Sequence, residues 1–225
     1  MPSTLVAAGL AALLAAALLD ERQFTGRALA VVVAAGVAPD LDALLDVAVE
    51  GLHNAALHNV WVPLLVGVAV RWDTRRDDSW LRGRYGTDGV RLAWVALAAY
   101  CVAGIALDFF HVESAAVLWP VHGRFLGVTG RLVYSTVDGV VFTLVEPSLA
   151  GGELLPKAGS GTVAGGEHVP TFLNPDDPDR DLVVIDAGWQ LLVVLSGGAM
   201  AGWKLRQNTE STDNEPTGND QTGDG

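Results

Sequence analysis

Five apolar stretches, separated by charged or turn-forming segments, set the pattern of the chain. Leu5 to Leu19 is an almost unbroken run of Ala and Leu, and Ala28 to Ala38 is a second run. Val60 to Val70 is a third, with Trp61 placed as an interfacial anchor. Leu92 to Leu107 is a fourth, and Leu182 to Trp203, with Asp186 near one end, a fifth. Their length and continuity predict helices in a bilayer, so the expected fold class is an all-α membrane protein with about five transmembrane helices. The second run reaches spanning length only if its helix continues through Pro39 into Leu45. Several runs fall short of about 20 residues, which a helix tolerates when it lines protein rather than lipid. A signal peptide is the other reading of Leu5 to Leu19. No basic residue precedes that run, however, and Arg22 and Arg27 follow it, the order of a first transmembrane helix.

The remaining segments divide the chain into a helical core over 1–122, a segment over 123–181, a last transmembrane helix over 182–206 and a polar tail over 207–225. Arg131 to Val145 contains two β-rich runs around Asp138-Gly139 and predicts a small β-hairpin. Gly151 to Pro178 is rich in Gly, Pro and Asp and predicts irregular structure. The acidic tail from Gln207 to Gly225 is too polar to build a core and predicts disorder.

Composition agrees with a membrane setting. Of the 225 residues, 50% are hydrophobic, and mean hydropathy is +0.34, above that of ordinary soluble domains. A net charge of -12 with no basic patch argues against nucleic-acid binding. The single cysteine, Cys101, excludes a disulfide framework and a cysteine zinc site. The acidic, lysine-poor composition, with only Lys157 and Lys204, points to a high-salt organism.

Charge also orients the chain. Arg22 and Arg27 lie between the first two runs. Arg71, Arg75, Arg76, Arg82, Arg84 and Arg91 lie between the third and fourth, and Lys204 and Arg206 follow the fifth. These are ten of the 14 basic residues. With five spans all three segments share one face, which the positive-inside rule makes cytoplasmic. The expectation is a multi-pass protein of the plasma membrane, surrounded by lipid, with its N-terminus outside and C-terminus cytoplasmic. The β-hairpin then lies in an extracytoplasmic segment.

The same orientation gathers the chemistry-bearing residues at the outer ends of the runs. They are Asp40 and Asp42 in Pro39-Asp40-Leu41-Asp42, then His53 and His58, then Asp108 with His111, and more weakly His122. Acids and imidazoles are costly near hydrocarbon, and they are retained there mainly for function. Hard carboxylates with imidazoles suit a divalent cation such as Zn²⁺, Mn²⁺ or Mg²⁺. Helix capping by Asp40 and Asp42 is the plainer alternative. His53 and His58 are five apart, about 140° of rotation on a helix, so a shared site needs a bend between them. Asn54 and Asn59 follow the two histidines in positions to orient them by hydrogen bonding. Asp108 and His111, three apart, share a helical face. His122, after Trp119-Pro120-Val121, reads more readily as structural.

Pro-Asp-x-Asp after a short apolar run, paired histidines a dozen residues later, and an apolar span ending in Asp with Trp-Pro beyond it resemble the YdjM-like family of membrane-bound metal-dependent hydrolases. The resemblance covers about residues 4 to 125. Leu118-Trp119-Pro120 through Phe125, with Gly130 to Val133, resembles archaeal members from salt-loving organisms. It implies metal-dependent hydrolysis and assigns Asp40, Asp42, His53, His58 and Asp108 as metal ligands. The chain departs from the pattern in lacking a histidine in the first span and in having Gly104 where a second is common, with Asn54 in place of an arginine.

The expected function is therefore hydrolysis of an ester or phosphoester at the outer membrane surface, on a lipid or lipid-linked substrate. Asp40, Asp42, His53, His58 and Asp108 would hold one or two divalent ions, and His111, with His58, would serve catalysis by proton transfer. The alternative is a non-catalytic polytopic protein whose polar cluster binds a cation or joins helices.

Overall fold

The computed structural model describes residues 4–46, 49, 52–110, 115–127, 132–135, 139–142, 158–163, 184–185 and 187–213. Among these the chain is mostly helical, with a helix at each of the five apolar runs and four short strands. Two helical stretches, Gly26–Asp46 and Trp80–Phe109, are long and apolar enough to cross a membrane.

Helix α1 (Thr4–Leu18) packs against α2 (Gly26–Val37) and α7 (Gly188–Asp213), and also touches α5 (Trp80–Ala99). Ala11, Ala15, Val32, Ala99 and Ala103 fill the common interior. Small side chains let backbones approach closely, the usual packing device where lipid supplies no hydrophobic drive. At the α1–α7 crossing, a Cβ built on Gly9 would stand 2.9 Å from Val194 Cα. Large apolar residues instead face outward, among them Leu64, Leu65 and Val68 on α4 (Trp61–Arg75) and Leu192 and Leu195 on α7. A surface of this kind is suited to lipid or to a partner.

Local chemistry sets the helix ends. Thr25 accepts a hydrogen bond from Ala28 N and caps α2. Helix α2 continues through a 3₁₀ turn (Ala38–Leu41) into α3 (Asp42–Asp46), so it passes Pro39 as the apolar pattern requires. Asn59 Oδ1 accepts from Trp61 N and Val62 N at the start of α4. Asp73 accepts from Ser79 Oγ, Trp80 N and Leu81 N. That clasp starts α5 at Trp80, so the arginine-rich stretch between the third and fourth runs is largely helical. Helix α5 breaks its regular geometry at Gly86 (φ 68°). It then passes through a π-helical segment (Tyr100–Ala106) into α6 (Leu107–Phe109).

One end of the bundle is tied by cations. Lys204 Nζ donates to Ala16 O and Leu19 O, and Arg91 donates to Leu18 O and pairs with Asp20. Unpaired carbonyls at a helix C-terminus favour such partners. Asn208 donates to Glu21 O and Phe24 O. This anchoring carries α7 to Asp213, beyond the boundary expected at residue 206, so residues 207–213 are helical where disorder was expected. Residues 214–225 lie outside the described residues.

Past α6, strand β1 (Arg124–Leu126) pairs antiparallel with β4 (Ala158–Thr162). Part of the segment expected to be irregular is therefore a strand. Strand β2 (Leu132–Ser135) pairs antiparallel with β3 (Gly139–Phe142), from Leu132 opposite Phe142 to Ser135 opposite Gly139. Asp138, expected at the turn, lies outside the described residues, as does Asp186.

Candidate metal centre

Helix α2 and helix α5 both run from the cation-tied end toward the acid-histidine end. Arg91 and Asp108 are 17 residues apart on nearly continuous helix, roughly 25 Å at about 1.5 Å per residue. The 3₁₀ turn at the far end of α2 carries Asp40, and the start of α3 carries Asp42. The end of the α5 stretch carries Asp108 on α6. A close contact sets their spacing: a Cβ on Gly104 would stand 2.5 Å from Pro39 Cγ and 3.1 Å from Gly36 O. Glycine at 104 lets Pro39 seat against the π-helical segment and brings Asp40 beside Asp108. The residue read as a missing family histidine is thus a packing position.

His58 comes from the loop between α3 and α4, and several contacts hold that loop. Val60 N donates to Val117 O, Ala116 N to Asn54 O, and Tyr100 Oη to Leu57 O. Ala55, Ala116 and Phe125 are fully buried together beneath it. Segment 115–118 and strand β1, joined through Ala115 and Leu126, form its floor.

The result is a convergence of Asp40, His58 and Asp108, whose ligand atoms all lie within 4.8 Å of one another. His58 Nε2 is 2.7 Å from Asp108 Oδ2 and 3.6 Å from Asp40 Oδ1. His58 and Asp42 are completely buried, and Asp108 is 4% exposed. Although Nε2 is near both carboxylates, it makes no well-directed hydrogen bond to either, and Asp40 Oδ2 is sequestered without one. Buried polar atoms in this condition are rare and need a reason. In a shell of bonds about 2.1 Å long, neighbouring ligand atoms stand about 3.0–3.4 Å apart. A divalent ion therefore fits only once the 2.7 Å pair parts by a few tenths of an ångström and the wider separations, which reach up to 4.8 Å, close around it.

Asp42 stands behind this group. Its Oδ2 is 2.8 Å from His58 Nδ1, and its Oδ1 is 3.3 Å from His53 Nδ1. Leu57 N also donates to Asp42 Oδ2 at 3.4 Å, and His53 N to Asp46 Oδ1. Asp42 and His53 are thus placed as supports of the converging group rather than members of it. The bend required between the two histidines is present: residues 52–60 form no helix, and Asp42 reaches both rings from one carboxylate. Burial opposes protonation of His58, but Asp108, Asp40 and Asp42 around the ring outweigh it. They hold the imidazole well above its ordinary pKa of 6.5.

Asn59 does not orient His58. Its amide donates to Ala55 O and Ala56 O while its oxygen starts α4. Asn54 is fully buried at φ 57°, and among the described residues its side-chain atoms have no hydrogen-bond partner. His111 lies outside the described residues. Among the described residues His122 is not part of the converging group. Sequence reasoning missed Asp46 and Gly104. Asp46 follows Asp42 by four residues, a helical-neighbour spacing that could have flagged it.

Comparison with protein-family models, curated proteins and solved structures finds no match to this chain.

Proposed function

We propose that the protein is a multi-pass membrane protein with a mononuclear metal centre that hydrolyses an ester or phosphoester. The observation that carries the reading is the convergence of two carboxylates and one imidazole, His58 and Asp108 buried and Asp40 partly so, with ligand atoms within 4.8 Å of one another. Asp40, His58 and Asp108 are the ligands. With the carboxylates ionised, three acids (Asp40, Asp42, Asp108) face the single His58 ring, and a dication bound after the ring gives up its proton lowers the negative charge gathered there. Oxygen-rich donors with one imidazole suit Mn²⁺, Zn²⁺ or Mg²⁺.

When bound, the ion supplies Lewis acidity toward the ester and makes water a better nucleophile near neutral pH. Asp42 holds His58 through Nδ1, presenting Nε2 forward and fixing the tautomer. Both nitrogens of His58 are then engaged, which gives it the role of ligand rather than proton carrier. His111 is the proton donor of this reading. Hydrolysis forms a bond from the water oxygen to phosphorus or the acyl carbon and breaks the bond to the leaving oxygen. The proton given up by water ends on that oxygen. The five-span topology, the extracytoplasmic β2–β3 segment and the YdjM-like relationship belong to the same proposal, supported by the order of the motifs and the distribution of arginines.

The test is metal analysis of the purified full-length protein and its Asp40→Ala, His58→Ala and Asp108→Ala variants, alongside turnover on phosphoester and ester panels. One equivalent of metal, lost in all three variants, with metal-dependent turnover is expected. Stoichiometric metal without turnover on either panel replaces the hydrolase with a cation-binding membrane protein. Absence of metal under loading conditions ends both readings.

A further inference from the structure

Beside the centre lies an open groove of about 510 Å³, lined by apolar side chains including Val60, Leu64, Cys101, Ile105, Phe109 and Val117. That volume is within the roughly 300–1,000 Å³ of ligand pockets. The groove and the centre share the loop that carries His58 and the helix end that carries Asp108. Val60 follows His58 by two residues, Ile105 precedes Asp108 by one helical turn, and Phe109 is its neighbour. We propose that this groove seats the hydrocarbon chain of an amphiphilic substrate whose ester or phosphoester head rests on Asp40, His58 and Asp108. The proposal rests on the hydrolase reading above and supplies its substrate class.

Three observations select this occupant. Among the described residues the groove lining contains no charged residue, so a wholly polar substrate would leave it unfilled. The adjoining centre is built from charged groups, with His58 and Asp108 buried and Asp40 partly so, so a wholly apolar ligand would leave that end unmatched. An amphiphile complements both halves. One wall belongs to Trp80–Phe109, a helix long and apolar enough to cross a membrane, and Leu64 and Val60 at its rim are exposed. A chain could therefore enter sideways from a bilayer without crossing water.

Cys101 provides a native reporter, because it lines the groove and is the one cysteine of the chain. The full-length protein, held in the steroid-based detergent CHAPS with Mn²⁺, is treated with N-ethylmaleimide. Modification is followed by mass spectrometry in the presence of inorganic phosphate, butyl phosphate, octyl phosphate or dodecyl phosphate. Octyl phosphate should slow modification at least tenfold while inorganic phosphate leaves it unchanged. The half-protecting concentration should fall about fourfold for each added methylene that is fully buried. If Cys101 reacts too slowly to follow, Leu64→Cys in a Cys101→Ser background reports on the same groove. Protection independent of chain length, or none, overturns the proposal. Chain-length-dependent protection without turnover of any alkyl phosphate or ester overturns the hydrolase reading alone.

Discussion

Asp42 Oδ2 lies 2.8 Å from Nδ1 of His58, on the opposite side of the ring from Asp40 and Asp108. A carboxylate in that position fixes an imidazole's tautomer and raises its basicity as a ligand. Asp42→Asn should therefore keep the fold and still bind Mn²⁺, with affinity lowered about 10- to 100-fold. Asp108→Ala, which removes a proposed ligand, should lose binding altogether. Titration calorimetry separates the two, and equal losses in both variants would place Asp42 in the coordination shell instead.

Much of this centre is legible in the sequence because its residues end apolar runs, where burial of an acid is conspicuous. Asp40, His58 and Asp108 stand out on that ground together with Asp42, His53 and His111, and the family resemblance adds the ligand role. Their division of labour with Asp42 and His53 is not legible. It depends on a 3₁₀ turn after α2, a π-helical segment before Asp108 and a non-helical loop at 52–60, none of which has a hydrophobic period. Asn59 illustrates the limit: its position after His58 suggests support of the ring, whereas the start of α4 competes for the same amide oxygen and takes it. Residues 207–213 mislead in the other direction, because contacts of Asn208 with the α1–α2 connection override a polar local composition.

Gly104 tests whether the π-helical segment sets the spacing of the ligands. A methyl group there meets Pro39 and Gly36 O, so one side or the other must move. Gly104→Ala should destabilise the protein by about 1–3 kcal/mol, the usual cost of overpacking, and should weaken metal binding because Asp40 is carried on the displaced turn. Thermal unfolding with and without Mn²⁺ reads both effects. A variant less stable by this amount but unchanged in affinity would uncouple the Pro39 contact from the centre.

Proton linkage follows from the elevated pKa of His58. Because the folded value lies above 6.5, the charged ring stabilises the metal-free fold fully below that pH. The contribution disappears as pH rises through the folded value. Metal binding must expel the same proton. Apparent Mn²⁺ affinity should rise with pH, up to about tenfold per unit while the ring is protonated, with one proton released per ion. Calorimetry in buffers of different ionisation enthalpy counts that proton, and pH-independent affinity without release would remove His58 from the ligand set.

A second linkage has the opposite sign. Hydrogen bonds from Ser79 Oγ and from Leu81 N and Trp80 N hold Asp73 below its ordinary pKa of 3.8. Its support of α5 is therefore complete above that value and lost as pH falls through the folded one. Amide-exchange protection at Trp80 and Leu81 should be lower in Asp73→Ala than in the parent at pH 6. The difference should vanish in acid, and a difference that persists there would assign the effect to packing rather than charge.

Finally, the cation-tied end and the metal centre should face opposite sides of the membrane. Lys204 and Arg91 cap α1 where the α1–α2 connection carries Arg22 and the first turn of α2 carries Arg27, so these charges share one end of the bundle. The positive-inside rule assigns that end to the cytoplasm, and the roughly 25 Å of helix between Arg91 and Asp108 is comparable with the ~30 Å hydrocarbon core. In a Cys101→Ser background, Arg75→Cys should resist an impermeant maleimide in intact cells and react after permeabilisation. Val121→Cys, on a side chain 78% exposed, should react without it. Labelling of Arg75→Cys in intact cells would invert the protein and move the centre to the cytoplasmic surface, where its substrate would have to come from the inner leaflet.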